Sequence, residues 1–246
     1  MKEINPKDLA ALIKKSRQAL AITGAGISVE SGIPDFRSKG GLWERFDPME
    51  YATIAAFERN PAKVWVMLKE MDRILVRARP NPAHYALAAL EEQGLLLGII
   101  TQNVDNLHQA AGSKKVIEYH GNAYRFVCMK CKGQWPRASL DFDQTPLYCY
   151  CGRLIKPDVI FFGEAIPEQA MRQANAWAVS CDLLLIIGSS MEVAPANALP
   201  QTAKHSGAII VESNTAPTHL TPYLTDYFLP GPAGEVWPAV MKGLLG

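Results

Sequence analysis

Apolar and polar residues change their spacing repeatedly along this chain, and each change marks an element. Short apolar runs of strand length stand at residues 20–23, 96–101, 116–119, 159–162, 183–187 and 208–211. Between them the spacing turns helical. After Asn60-Pro61, the residues Val64, Met67, Leu68, Met71, Ile74 and Leu75 follow the i, i+3, i+4, i+7 rule of an amphipathic helix. Asn5-Pro6 and Asn81-Pro82 open similar stretches, with Asn as N-cap and Pro at the first helical position. After Pro167, EQAMRQANAWAVS reads as a further helix that ends just before a strand. Buried strands alternating with helices predict an α/β fold with a doubly wound parallel sheet covered on both faces. Ligands of such sheets sit outside the carboxyl ends of the strands. The segments that follow the strands, GAGIS, QNVDN, HG, FGE, GSS and ESNT, therefore carry the candidate chemistry.

Two stretches break the pattern, at about 38–79 and about 122–154. Both read as insertions that together form a smaller unit, leaving residues 1–37, 80–121 and 155–246 to the sheet domain. The 246 residues suit this division, since about 150 residues make a domain. With 48% hydrophobic and 20% charged residues the chain is ordinary for a globular protein. Lys plus Arg number 25 against 24 for Asp plus Glu, so no bulk field draws nucleic acid or an anionic membrane. No apolar run approaches the ~20 residues that span a bilayer, and the amino-terminal residues scatter charge where a secretory signal needs an apolar block. A cytoplasmic protein without membrane partners is expected.

Four of the five cysteines fall in one window. Cys128 and Cys131 form C-x2-C, and Cys149 and Cys151 form C-x-C after seventeen residues. Four thiolates hold zinc tetrahedrally and leave no position open for substrate, so 122–154 reads as a structural zinc module. Cys181, at the start of a buried strand, reads as a small core residue. Between 123 and 155 there are five basic residues against two acidic ones. That surplus, without a basic stripe or aromatic platform, falls short of a nucleic-acid footprint, and no direct nucleic-acid partner is expected.

The densest functional signal is TGAGISVESGIPDFR at 23–37. Gly24 and Gly26 after a strand allow a tight turn and let backbone N–H groups approach a phosphate at a helix start. A plain strand-to-helix turn explains the glycines as well, and Val29 stands where the dehydrogenase fingerprint needs its third glycine. His120, ending the run VIEYH, lies at the same sheet edge and just before the cysteine module, where a cleft must run. Near neutrality its imidazole can take a proton from a sugar hydroxyl. The other histidines read as bland: His84 in the first turn of a helix, His108 at a helix start, His205 and His219 in polar loops.

Taken together, GAGISxxSGIPDFR, TQNVDNLHQAAG, EYHGN, the four cysteines, KPDVIFFGE and GSS, in this order, resemble the sirtuin family of NAD-dependent protein deacylases. The resemblance spans residue 21 to about 237. It implies a Rossmann-like domain and a smaller domain made of the zinc module and a helical module at 38–79, with NAD and an acyl-lysine peptide entering the cleft from opposite sides. Residue by residue, it places Gly24, Ala25, Gly26 and Ile27 on the nucleotide loop, and Asp35, Phe36 and Arg37 on the cofactor loop. Gln102, Asn103, Val104 and Asp105 would hold the ribose and nicotinamide ends. Gly188, Ser189 and Ser190 would contact the phosphate and adenosine ribose, Asn214 the adenosine and Ala233 the adenine. His120 would be the general base, with Asn103 beside it. The peptide would add as a strand along Val159, Ile160, Phe161 and Gly163, facing Val193.

The chemistry implied is transfer of the acetyl group to ADP-ribose with release of nicotinamide. The acyl oxygen attacks the ribose carbon, so no enzyme nucleophile is needed, and His120 then helps deprotonate a ribose hydroxyl. Two other readings stand beside it: protein mono-ADP-ribosyl transfer from the same pocket, and a zinc-stabilised module that holds NAD without turnover. The set His120, Asn103, Asp105 and Arg37 speaks against the last. Relatives that prefer succinyl or malonyl lysine carry Tyr-x-x-Arg where this chain has Leu68 and Met71. An apolar pair leaves a buried carboxylate unpaired at a cost of several kcal/mol, so acetyl or longer apolar acyl groups are expected over acidic ones.

Overall fold

Asparagine–proline pairs fix three helix starts. Side chains of Asn5, Asn60 and Asn81 accept from the backbone N–H of Asp8, Lys63 and Ala83, and each is followed by proline at the first helical position. A computed structural model describes residues 1–35 and 41–245. The chain opens with β1 (Lys2–Glu3), α1 (Pro6–Lys15) and β2 (Ala19–Thr23), followed by a 3-10 turn at Ala25–Ser31. Four helices follow: α2 (Leu42–Arg45), α3 (Pro48–Tyr51), α4 (Ile54–Arg59) and α5 (Pro61–Arg77). α6 (Pro82–Glu92), β3 (Gly98–Thr101), α7 (Leu107–Ala110) and β4 (Val116–Glu118) come next. β5 (Gly121–Cys128), β6 (Gln134–Pro136) and β7 (Ile155–Val159) then form a separate antiparallel sheet. The chain closes with α8 (Glu168–Ser180), β8 (Leu183–Ile187), α9 (Leu199–His205), β9 (Ile209–Asn214), β10 (Tyr227–Pro230) and α10 (Ala233–Leu245).

The larger sheet is parallel throughout, in the order β1-β10-β9-β8-β2-β3-β4. Without the edge strand β1 this is the doubly wound Rossmann order, and its switch point falls between β2 and β8. Alternate residues of the strands feed two cores. Ala19, Ala21, Ile99, Leu185 and Val211 pack with α1, α6 and α10, whereas Leu20, Ile22, Ile100, Ile186 and Ile210 pack with α8 and α9. Each fully buried Leu or Ile here contributes about 1.5–3 kcal/mol.

A third core joins α4 and α5 to the antiparallel sheet, with Phe57, Trp65, Phe126 and Phe161 at its centre. Arg137, between β6 and the second cysteine pair, forks onto Asp72 of α5 at 2.8 and 2.6 Å. The helical run and the cysteine module thus share one interior.

The expected strand at 159–162 differs from what forms. The strand is β7, displaced to Ile155–Val159, and it pairs antiparallel with β5. The sequence IKPDV hides it because the buried Lys156 and a proline interrupt any apolar run; Lys156 is tolerated since Nζ meets Glu164 at 2.9 Å and the carbonyl of Val159 at 2.6 Å. β1 and β10 were also outside the pattern, being two and four residues long. His205 closes α9 instead of lying in a loop.

Candidate active site

The loop after β2 and the loop after β8 cross at the switch point with main chain close to main chain and the Ser189 side chain against Gly24. Gly24 N donates to the carbonyl of Ile187 at 3.2 Å and Gly26 N to that of Gly188 at 2.8 Å. A Cβ on Gly24 would lie 2.7 Å from that of Ser189, and one on Gly26 only 2.8 Å from the carbonyl of Gly188. Gly188 itself has φ +58, and a Cβ there would stand 2.2 Å from the amide nitrogen of Ile27. These glycines are required by backbone packing at the cleft floor. The N–H groups of Gly24 and Gly26, expected to face a phosphate, are committed to β8 and its loop.

Around that floor the carboxyl ends of β2, β3, β8 and β9 enclose a polar cleft of about 460 Å³. Gln102 Nε2 donates to Ser189 Oγ at 2.8 Å, tying the loop after β3 to the loop after β8. The Asn103 amide donates to the carbonyl of Gly24 at 3.0 Å and to Ser28 Oγ at 3.1 Å, while Ser28 donates to Asp105 at 2.6 Å. With both of these bonds made, Asn103 offers Oδ1 to a ligand as an acceptor. Asp105 is buried, which raises its carboxyl pKa above the usual value against the hydrogen bonds from Ser28, the Leu107 amide and Asn103.

A second cavity of about 460 Å³ is apolar and lies between the parallel sheet and the smaller unit. Its walls include Leu42, Trp65, Leu68, Met71, Phe126, Phe142 and Phe161. Gln102, His120 and Val193 belong to both cavities. His120 therefore stands where the two meet. Its Nδ1 lies 3.0 Å from the carbonyl oxygen of Gln102. A carbonyl only accepts, so Nδ1 carries the proton and Nε2 keeps its lone pair. Burial lowers the imidazole pKa below its ordinary value, with the bond to Gln102 opposing the shift. The ring is neutral at neutral pH, the form a general base needs.

The four cysteine sulfurs lie within 4.8 Å of one another, with Cys128 to Cys151 at 3.5 Å and Cys131 to Cys149 at 3.6 Å. A tetrahedral zinc with ligands at about 2.3 Å sets sulfur–sulfur edges of ~3.8 Å, so this cluster is positioned to hold a structural zinc ion. The short C-x-C closes because Gly152 turns at φ +78 and its N–H returns to the carbonyl of Cys149 at 2.8 Å.

A model of the Sir2 family matches residues 24–195. The chain belongs to the Sir2 family. It is 46% identical over 235 residues to NAD-dependent protein deacylase 2 of Pyrobaculum aerophilum, covering 96% of this chain and 94% of that relative. Its fold matches a solved Sir2 homologue in complex with NAD at a TM-score of 0.91 and 39% identity, covering 98% of this chain and 95% of that one. A Sir2 structure with a deacetylated p53 peptide and 3′-O-acetyl ADP-ribose matches at 0.89 and 35%, covering 97% and 98%.

In this Sir2 chain, Gly24, Ala25, Gly26, Asp35, Gln102, Asn103, Gly188, Ser189, Ser190 and Asn214 all line the polar cleft. Val159, Ile160, Phe161, Gly163 and Val193 line the apolar cavity, as does Val104. Ile27 and Ala233 lie in the core shared with Trp237, and Asp105 sits behind Ser28, so none of these three is among the lining residues. Phe36 and Arg37 lie outside the described residues. The N–H groups of Ile160, Phe161 and Phe162 are already donated, to His120 O, Glu164 Oε2 and Ala52 O, each at 2.9 Å. The sequence reading took ESNT, 212–215, as a loop of the site and missed residues 216–219, which line the same cleft. Their position directly after β9, at the sheet's ligand-binding edge, was the available signal.

Proposed function

We propose that this Sir2 protein is an NAD-dependent protein-lysine deacetylase that transfers the acetyl group to ADP-ribose and releases nicotinamide. The observation that carries the reading is His120, held by Gln102 as a neutral base in the wall common to a polar cleft and an apolar cavity. NAD, bound in the polar cleft, supplies an activated glycosidic carbon and the ribose hydroxyls. Ser189, Ser190 and Asn214 hold the dinucleotide along the cleft, while Gln102 and Asn103 hold its reacting end. The apolar cavity takes the acyl-lysine, its walls shielding the amide from water. The amide oxygen of the acyl-lysine bonds to the glycosidic carbon as the bond to nicotinamide breaks. Nε2 of His120 then takes the proton of a ribose hydroxyl, whose oxygen bonds to the acyl carbon; lysine leaves as its C–N bond breaks, and water adds to the acyl carbon to give acetyl-ADP-ribose.

The substrates are acyl-lysine peptides or proteins. Leu68 and Met71 line the cavity together with Asp72 and Glu164, so its walls offer hydrocarbon and carboxylates to an incoming acyl group. That environment favours acetyl or longer apolar chains over acidic ones. No helix among the described residues is long and apolar enough to cross a membrane, and a tetrathiolate zinc site fits a reducing cytoplasm.

Incubation with an acetyl-lysine peptide, with and without NAD, tests the reading. Nicotinamide release that depends on peptide, with acetyl-ADP-ribose identified by mass, supports it. Modified protein without that product would favour ADP-ribosyl transfer, and dinucleotide binding without turnover would favour a non-catalytic module.

A further inference from the structure

Glu212 of β9 is completely buried, yet its carboxylate meets two hydroxyls where a cation would be the usual partner. Thr218 Oγ1 donates to Oε1 at 2.7 Å and Thr221 Oγ1 to Oε2 at 2.5 Å. Each hydroxyl also accepts: Leu220 N reaches Thr218 Oγ1 at 3.1 Å, and Thr218 N reaches Thr221 Oγ1 at 2.7 Å. The carboxylate is thereby the centre of a closed set of bonds that folds the segment after β9 back onto the strand. That segment contains no strand of its own. Leu220 and Leu224 also pack against the core beneath, and at the end of the segment Asp226 is held by Lys204 and by the amide of Ile210.

The same segment lines the polar cleft through residues 215–219, which follow β9. His120 follows β4, four strands along the sheet, where the cleft meets the apolar cavity. A dinucleotide whose glycosidic bond reacts beside His120 therefore reaches toward Thr218 with its adenosine half. Glu212 is not among the residues that line the cleft, so it acts on the ligand only through the threonines.

We propose that Glu212 is a positioning residue for the dinucleotide, clasping Thr218 and Thr221 so that the 215–221 lip is set to receive the adenosine end. The proposal rests on the NAD-dependent reading above. A clasp of this kind acts on binding and leaves the acyl-transfer step alone, because nothing in it reaches the acyl cavity.

Steady-state kinetics with an acetyl-lysine peptide, and calorimetric titration with ADP-ribose, separate these effects. Glu212→Gln replaces one acceptor oxygen by an amide and should raise KM for NAD and Kd for ADP-ribose about tenfold, with kcat and the peptide KM within about twofold of wild type. Thr218→Val should do the same, and Thr218→Ser, which keeps the hydroxyl, should restore wild-type values. Combining Glu212→Gln with Thr218→Val should cost less than the sum of the two, since both weaken the same clasp. If Glu212→Gln does not fold, the Thr218 pair carries the test. Unchanged KM and Kd in Thr218→Val, or a fall in kcat equal to any rise in KM, would overturn the proposal. A wild-type protein that neither binds ADP-ribose nor releases nicotinamide would instead overturn the NAD-dependent reading itself.

Discussion

The carbonyl of Gln102 fixes which nitrogen of His120 can act as a base. At 3.0 Å it accepts the Nδ1 proton and leaves Nε2 unprotonated in the wall between the two cavities. His120→Ala should therefore lower kcat/KM by about 10²–10⁴, with circular dichroism and zinc content unchanged. Retained activity would remove the general-base role.

The same residue should set the acid limb of the rate profile. Burial lowers the His120 pKa, so the neutral, reactive form persists as pH falls past the ordinary imidazole value and is lost only as pH drops through the lowered one. The limb of kcat/KM against pH assigned to His120 should accordingly lie below about 6.5. A limb at or above that value would mean that the ring is solvated in the working enzyme.

Leu68 and Met71 predict the choice of acyl group. Acetyl-lysine peptide should exceed succinyl-lysine peptide in kcat/KM by at least about tenfold, because a buried carboxylate with no partner costs several kcal/mol. Leu68→Tyr combined with Met71→Arg should narrow that ratio. A larger kcat/KM for the succinyl peptide in the wild type would refute the assignment.

Removal of zinc should act on the fold first. Cys128 and Cys149 belong to the same core as Trp65 and Phe126, so chelation or Cys128→Ser should loosen the packing of α4 and α5 as well as the cysteine loops. A stoichiometric loss of zinc should accompany a fall in melting temperature and in activity. Full activity after complete metal removal would show that the cysteines are dispensable.

His84 and His108 make the fold sensitive to acid. Both are buried, their ring centroids 4.9 Å apart, and each has a ring nitrogen without a hydrogen-bond partner. Burial lowers the His84 pKa to about 4 and that of His108 well below its ordinary value, the latter pushed further by His84. In the unfolded chain both titrate near about 6.5. Below that pH the unfolded state takes up protons that the folded state refuses, so stability falls from about pH 6.5 toward about 4 and continues falling where His108 governs. Urea midpoints should track this slope, and His84→Gln should flatten it.

Much of the architecture was legible because local signals and burial agreed. The asparagine–proline caps named three helix starts, and Leu183–Ile187, buried at every position, announced a central strand. The failures came where a tertiary partner overrides composition. Lys156 made β7 look polar until Glu164 supplied its counter-charge, and β10 was too short to stand out until β9 paired with it. At the site, the loops after β2, β3 and β8 were found from their motifs. After β9 only ESNT with Asn214 was found; residues 216–219 were not, since the bonds of Glu212 to Thr218 and Thr221 have no meaning until the chain folds back on itself.

At the switch point, main chain rests on main chain: Gly24 and Gly26 beneath, Gly188 above. A floor built mostly of backbone tolerates few substitutions, so the side chains that distinguish one ligand from another stand in the walls around it.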